Sequence, residues 1–180
     1  MKGKQYASKN LGNSGSSHSP TRWKLRHNLK PGDLGYLTYL HGVLYAEEYG
    51  YTQTFEAYVA SGLAEFVQSL KPDEDRIWLA EADDQIIGSI AIVGRSRTDA
   101  QLRWFLVHPN RRGIGLGKEL MKEALQFCKE CRYKNIFLWT TSELKVARHL
   151  YTSAGFSKSE EKTHEMWGKM VTEERYDLHL

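Results

Sequence analysis

A chain of 180 residues, 41% hydrophobic and 26% charged, has the make-up of one globular domain with a sizeable core, which excludes a disordered or fibrous protein. No apolar run approaches the roughly 20 residues that span a bilayer, and the opening MKGKQYASKN lacks the apolar stretch of a secretory leader, so a cytoplasmic, non-membrane protein is expected. The net charge of +3 is uneven: residues 1–30 hold seven Lys/Arg and no acid, leaving 18 of the 25 basic residues against all 22 acidic ones, which argues against a nucleic-acid face on the body.

Residues 1–20 are rich in Ser, Gly, Asn and Lys and read as a flexible basic tail, with one domain over 21–180. Trp23 to Leu29 alternates and predicts a strand. Pro31-Gly32 is a turn, and Asp33 stands where a helix cap would. Leu37, Leu40, Val43 and Leu44 predict a first helix over 34–48, stopped by Gly50. Phe55, Val59, Leu63, Phe66 and Leu70 predict a second, begun at Thr52 or Thr54 and ended by Lys71-Pro72. IWLAEADDQIIGSIAIVG reads as a hairpin turning at 82–85. A fourth strand follows over 101–107, a helix over 115–131 and a short buried strand over 135–139. A helix over 143–154 is stopped by Gly155, and strands are expected at 156–158, 163–170 and 174–180. The order β-α-α-β-β-β-α-β-α-β-β fits an α/β (α+β) domain with a mixed, mostly antiparallel sheet flanked by helices.

The most informative stretch is Leu102 to Met121, LRWFLVHPNRRGIGLGKELM: an apolar strand, then a basic glycine-rich turn, then a helix. Such a turn gathers backbone N–H groups at a helix N-terminus and suits a phosphate or pyrophosphate. It is not a Walker loop, because Gly117-Lys118 is followed by Glu119 where a Ser or Thr would hold Mg²⁺. Cys128 and Cys131 form a C-x-x-C without two further ligands at zinc spacing, and late in a helix they read as structural.

These residues resemble the GNAT superfamily of N-acetyltransferases. Arg112, Gly115 and Gly117 match its Arg/Gln-x-x-Gly-x-Gly/Ala signature, and Ala147 to Phe156 matches its Ala-x-x-Leu-Tyr-x-x-x-Gly-Phe. More narrowly, residues 26–35, His41-Gly42 with 45–50, and Leu138-Trp139-Thr140 resemble the acetyltransferase half of bacterial MarR fusion proteins. Only about 20 residues precede that body, so the DNA-binding regulator role is not expected to carry over.

The resemblance implies transfer of an acetyl group from acetyl-CoA, as cosubstrate and without a metal, to a primary amine. It assigns the cofactor to Arg112, Gly113, Ile114, Gly115, Leu116, Gly117 and Lys118, and to the strand edge Phe105, Leu106 and Val107. Tyr151 takes the position of the acid that protonates the leaving thiolate. Glu48 is the candidate base, with Glu81, His41 and His108 as further candidates. Many relatives have an Asn where this chain has Thr140, Thr141 and Ser142. Tyrosines of the first two helices suit an acceptor pocket or a homodimer face, and the acidic body suits a cationic acceptor. The alternative is an acyl-CoA-binding module without turnover.

Overall fold

The computed structural model describes residues 23–180, and the expected basic tail lies outside them. The elements are β1 (Lys24–Arg26), α1 (Asp33–Tyr49), α2 (Gln53–Ser69), β2 (Arg76–Ala82), β3 (Gln85–Gly94), β4 (Asp99–Val107), α3 (Leu116–Glu130), β5 (Asn135–Thr141), α4 (Lys145–Ser153), β6 (Ser157–Met166) and β7 (Lys169–His179). They form one sheet in the order β1-β2-β3-β4-β5-β7-β6, in which only the β4–β5 contact is parallel.

Both faces of the sheet are covered. Trp78, Ala80, Ile90 and Ile92 pack against Leu120, Ala124 and Phe127 of α3. Ile77, Leu79 and Ala91 point the other way, into Leu37, Leu40, Val59 and Leu63 of α1 and α2. Alternate side chains of a strand face opposite sides, so a strand buried on both reads as the continuous apolar run seen in β2 and β3. The β2–β3 turn falls at Asp83 and Asp84, both at positive φ, as a two-residue hairpin requires.

Three expectations need correction. Asp33 does not cap α1; Gly32 takes that position, and the Asp33 carboxylate turns back to Arg26 (2.7 and 2.8 Å) and to the Lys30 amide (2.6 Å). The first strand is only three residues long, since the chain leaves the sheet after Arg26. The three expected C-terminal strands are two: β6 and β7 pair from Ser157↔Asp177 to Met166↔Lys169 around a Trp167-Gly168 turn with φ of 53° and 85°. β6 lies at the sheet edge with residues 157–163 exposed, and its charges guard an edge that would otherwise pair with another chain.

Two features of β4 position the site. Its register with β3 slips between Ser89 and Ala91, and Trp104 there has a φ of 45°. This bulge re-aims the strand, so that Trp104 and Leu106 join the α1–α2 side while Phe105 and Val107 face α3. The second feature is a parting. β4 and β5 pair only at Asp99↔Asn135, Ala100↔Ile136 and Gln101↔Phe137. Beyond Gln101 the two strands diverge.

Candidate active site

A cleft of about 740 Å³ opens beside the diverging end of β4. One wall is Phe105, Leu106 and Val107 of β4, another the loop from Arg111 to Lys118, and a third Lys145 to Leu150 around α4. After the short turn Pro109–Arg111, Gly113 and Gly115 take φ of 79° and 92°, a region that L side chains rarely enter. Among the described residues, none of the backbone N–H groups from Gly113 to Lys118 donates to another backbone group. They face the helix end that carries partial positive charge. Gly117 lets α4 come close, because a Cβ there would stand 3.0 Å from Leu150 Cδ1. Leu116 contributes backbone only, since its side chain is fully buried in the core.

The expected loop residues are therefore gathered, with one addition. Arg112 holds Glu48 by two hydrogen bonds of 2.9 and 2.7 Å and donates from Nε to the Val107 carbonyl at 3.0 Å. Glu48 thus lines the cofactor-sized cleft and ties the end of α1 to the loop. Arg111 is spent on Asp83 at 2.9 Å.

A smaller cavity of about 110 Å³ lies beside the cleft, and Tyr45, Phe105 and Leu144 line both. Its walls come from β4, β5, the two N-terminal helices and the β6–β7 turn. Tyr151 of α4 stands here, 5% exposed, its ring 6.0 Å from that of Phe105. Burial pushes its phenol well above the usual tyrosine range, so it keeps its proton at neutral pH. Tyr51 bonds Thr141 Oγ1 at 2.8 Å and donates to Glu143, which also takes Lys169 at 2.6 Å. Thr141 is therefore committed to this cavity's wall, while Thr140 Oγ1 is buried without a partner.

The other base candidates separate. Glu81 pairs with Arg26 at 2.6 Å and lines neither cavity. His108 accepts from the Asn110 amide at 3.3 Å and shapes the turn before the loop. His41 lines the small cavity, but it is 3% exposed, and burial lowers its pKa to about 4. The Leu37 carbonyl, 2.8 Å away, can only accept, so Nδ1 carries the proton and Nε2 presents a lone pair without a partner. Glu173, which the sequence reading did not single out, lines the small cavity and stands 3.3 Å from His164. The β5–β7 register, which sets Glu173 opposite Thr141, brings it there, and no local motif marks it.

The His41 geometry predicts an acid-sensitive fold. Between pH 6.5 and about 4 the unfolded chain holds a proton on His41 that the native state does not, so stability falls as pH falls through that window. From pH 7 to pH 5 the expected loss is about 2 kcal/mol. Urea unfolding at both pH values measures it, and His41→Gln should shrink the difference by that amount. An unchanged pH dependence in the variant would show that His41 is not the group responsible.

Cys128 and Cys131 are free thiols. Cys128 lies in the core, where burial pushes its pKa up to about 12, and Cys131 reaches the Asp73 carbonyl at 3.2 Å. This fits the structural reading of the pair.

Residues 41–156 match the acetyltransferase (GNAT) family. The chain belongs to this family. The matched span runs from His41 through the glycine loop to Phe156, so it includes both cavities' shared wall and Tyr151. Among curated GNAT-type relatives, N-acetyltransferase 8F1 of Rattus norvegicus is 28% identical over 128 residues, 66% of this chain and 58% of its own. N-acetylaspartate synthetase of Xenopus tropicalis is 36% identical over 81 residues, 44% of this chain and 30% of its own. The chain spans about half the length, or less, of such relatives. A GNAT-family acetyltransferase of Staphylococcus aureus superposes with a TM-score of 0.71 over 88% of this chain and 99% of its own, at 16% identity. An acetyltransferase of Salmonella typhimurium solved with its cofactor acetyl-CoA gives 0.66 at 14% identity, covering 88% and 94%. At these identities the likeness is one of fold. No described helix is long and apolar enough to cross a membrane.

Proposed function

We propose that the chain is an acetyl-CoA-dependent N-acetyltransferase that moves the acetyl group directly to a primary amine in a ternary complex. One observation carries this reading: the free N–H run from Gly113 to Lys118 opens onto a cleft that meets a second cavity at the parting of β4 and β5. That is the layout for two substrates meeting end to end. The backbone amides and Lys118 suit a pyrophosphate. The diverging edge at Phe105, Leu106 and Val107 offers N–H and C=O groups to an amide-bearing arm.

Acetyl-CoA supplies an acetyl group activated as a thioester. The chain's own part is positioning and proton handling. A β4 amide, that of Val107 in this reading, stabilises the charge that gathers on the carbonyl oxygen. Tyr151 holds a proton beside the junction and gives it to the leaving sulfur as the C–S bond breaks and the C–N bond forms. The amine's proton needs an acceptor. Glu48 was the expected base, but both of its oxygens are held by Arg112. Glu173 is the carboxylate on the small-cavity side. We therefore assign Glu48 to hold Arg112 and the loop, and Glu173 to the acceptor side. Glu48→Gln should raise the acetyl-CoA KM several-fold with kcat little changed, whereas Glu173→Gln should lower kcat about tenfold or more. Steady-state kinetics that show the reverse pattern would return the base role to Glu48.

Thiol release from acetyl-CoA across an amine panel tests the activity itself. Tight CoA binding with no release for any amine would favour the binding module instead. The narrower likeness to the acetyltransferase half of bacterial MarR fusion proteins rests on residues 26–35, 41–50 and 138–140 and belongs to this reading. So does a homodimer, for which the exposed Tyr39 on α1 is a candidate contact.

A further inference from the structure

The small cavity carries charge of both signs. On the β4 side stands Arg103. Its guanidinium lies 4.3 Å from the Trp104 ring centre and donates to the Tyr58 hydroxyl at 3.2 Å. Helix α2 leaves room for it at Gly62, where a Cβ would come within 2.9 Å of Arg103 Nη2. Among the described residues it has no carboxylate within salt-bridge distance. A guanidinium held in place and without a counter-ion is poised to take an anion. On the β7 side the cavity is lined by Glu173. Tyr51, Phe55, Tyr58 and Trp167 also line it.

We propose that this cavity selects an acceptor amine that carries its own carboxylate, an amino acid or close analogue, with Arg103 taking the carboxylate and Glu173 facing the amino end. The inference rests on the acetyltransferase reading and names its acceptor class. It departs from the cationic acceptor suggested by the acidic body, because the charges at the cavity outrank the net charge of the domain at contact range. The aromatic walls leave room for preference among apolar side chains but do not supply the charge pattern.

Two measurements on the full chain separate this inference from the reading beneath it. The first is thiol release with free L-amino acids against their methyl esters and the matching decarboxylated amines. The free amino acids should have kcat/KM higher by roughly tenfold or more, mainly through KM. Arg103→Gln should remove that preference, Arg103→Lys should keep part of it, and neither should change CoA affinity. The second needs no turnover. Quenching of tryptophan fluorescence, with Trp104 and Trp167 in the cavity wall, reports binding of N-acetyl-amino acids and of their methylamides. Tighter binding of the free acids, lost in Arg103→Gln, supports the inference. Equal binding of acids and methylamides, or a preference that survives Arg103→Gln, overturns it even if the enzyme turns over. A preference for the free acids without turnover of any amine would overturn the transferase reading and leave the carboxylate site standing.

Discussion

Tyr151→Phe should lower kcat by about a hundredfold while leaving the acetyl-CoA KM nearly unchanged. The phenol stands in the cavity where cleft and acceptor space join, and its ring is packed against Phe105, Phe156 and Tyr176. Phenylalanine keeps those ring contacts, so the fold should hold and only the proton is lost. Burial keeps that proton on at neutral pH, so the form that can donate is the one present. Single-turnover acetyl transfer is the decisive measurement, since it isolates chemistry from product release. Full activity in the phenylalanine variant would remove Tyr151 from the chemistry and leave it as packing under the cofactor.

Gly115→Glu should weaken CoA binding by a hundredfold or more, as read by calorimetric titration. Gly115 has a φ of 92° and immediately precedes α3. A glutamate there costs about 1–2 kcal/mol of backbone strain. A glutamate also places negative charge at the helix end that the amides make positive, and so competes with a phosphate. Gly115→Asn separates strain from charge, because asparagine tolerates positive φ and adds no charge. It should bind within a few-fold of the parent. Unchanged affinity in the glutamate variant would mean that phosphates bind elsewhere.

Much of the fold is legible in the sequence because its signals are local. Helices α1, α2 and α3 declare themselves by apolar spacing, and the β2–β3 hairpin by Asp83-Asp84 between two apolar runs. The C-terminal hairpin is harder. β6 sits at the edge, so its exposed charged residues follow no alternation, and Trp167 in a positive-φ turn carries none of the usual Asn or Asp signal. The glycine loop is equally local, since Gly113 to Lys118 are consecutive residues. The acceptor side is not. Arg103, Glu173 and Thr141 come to line one cavity through a parallel crossover and the β5–β7 register, and the pairing of Glu48 with Arg112 joins residues 64 positions apart in the chain. Nothing in the spacing of such residues announces that they share a wall.

The parting of β4 from β5 has a consequence for how such a protein can diversify. On one side of it stand β4, the glycine loop and α3, which are bound to backbone geometry and tolerate little change. The small cavity is also walled by Trp167 and by Phe55, Tyr58 and Val59 of α2, and the Thr52 amide before α2 clasps the Trp167 carbonyl at 3.0 Å. Substitutions in that clasp can reshape the acceptor's berth while the donor's berth stays as it was. The domain is in this sense a fixed socket with an exchangeable jaw, in which the shape of the acceptor's berth can change while Arg103 on β4 stays in place.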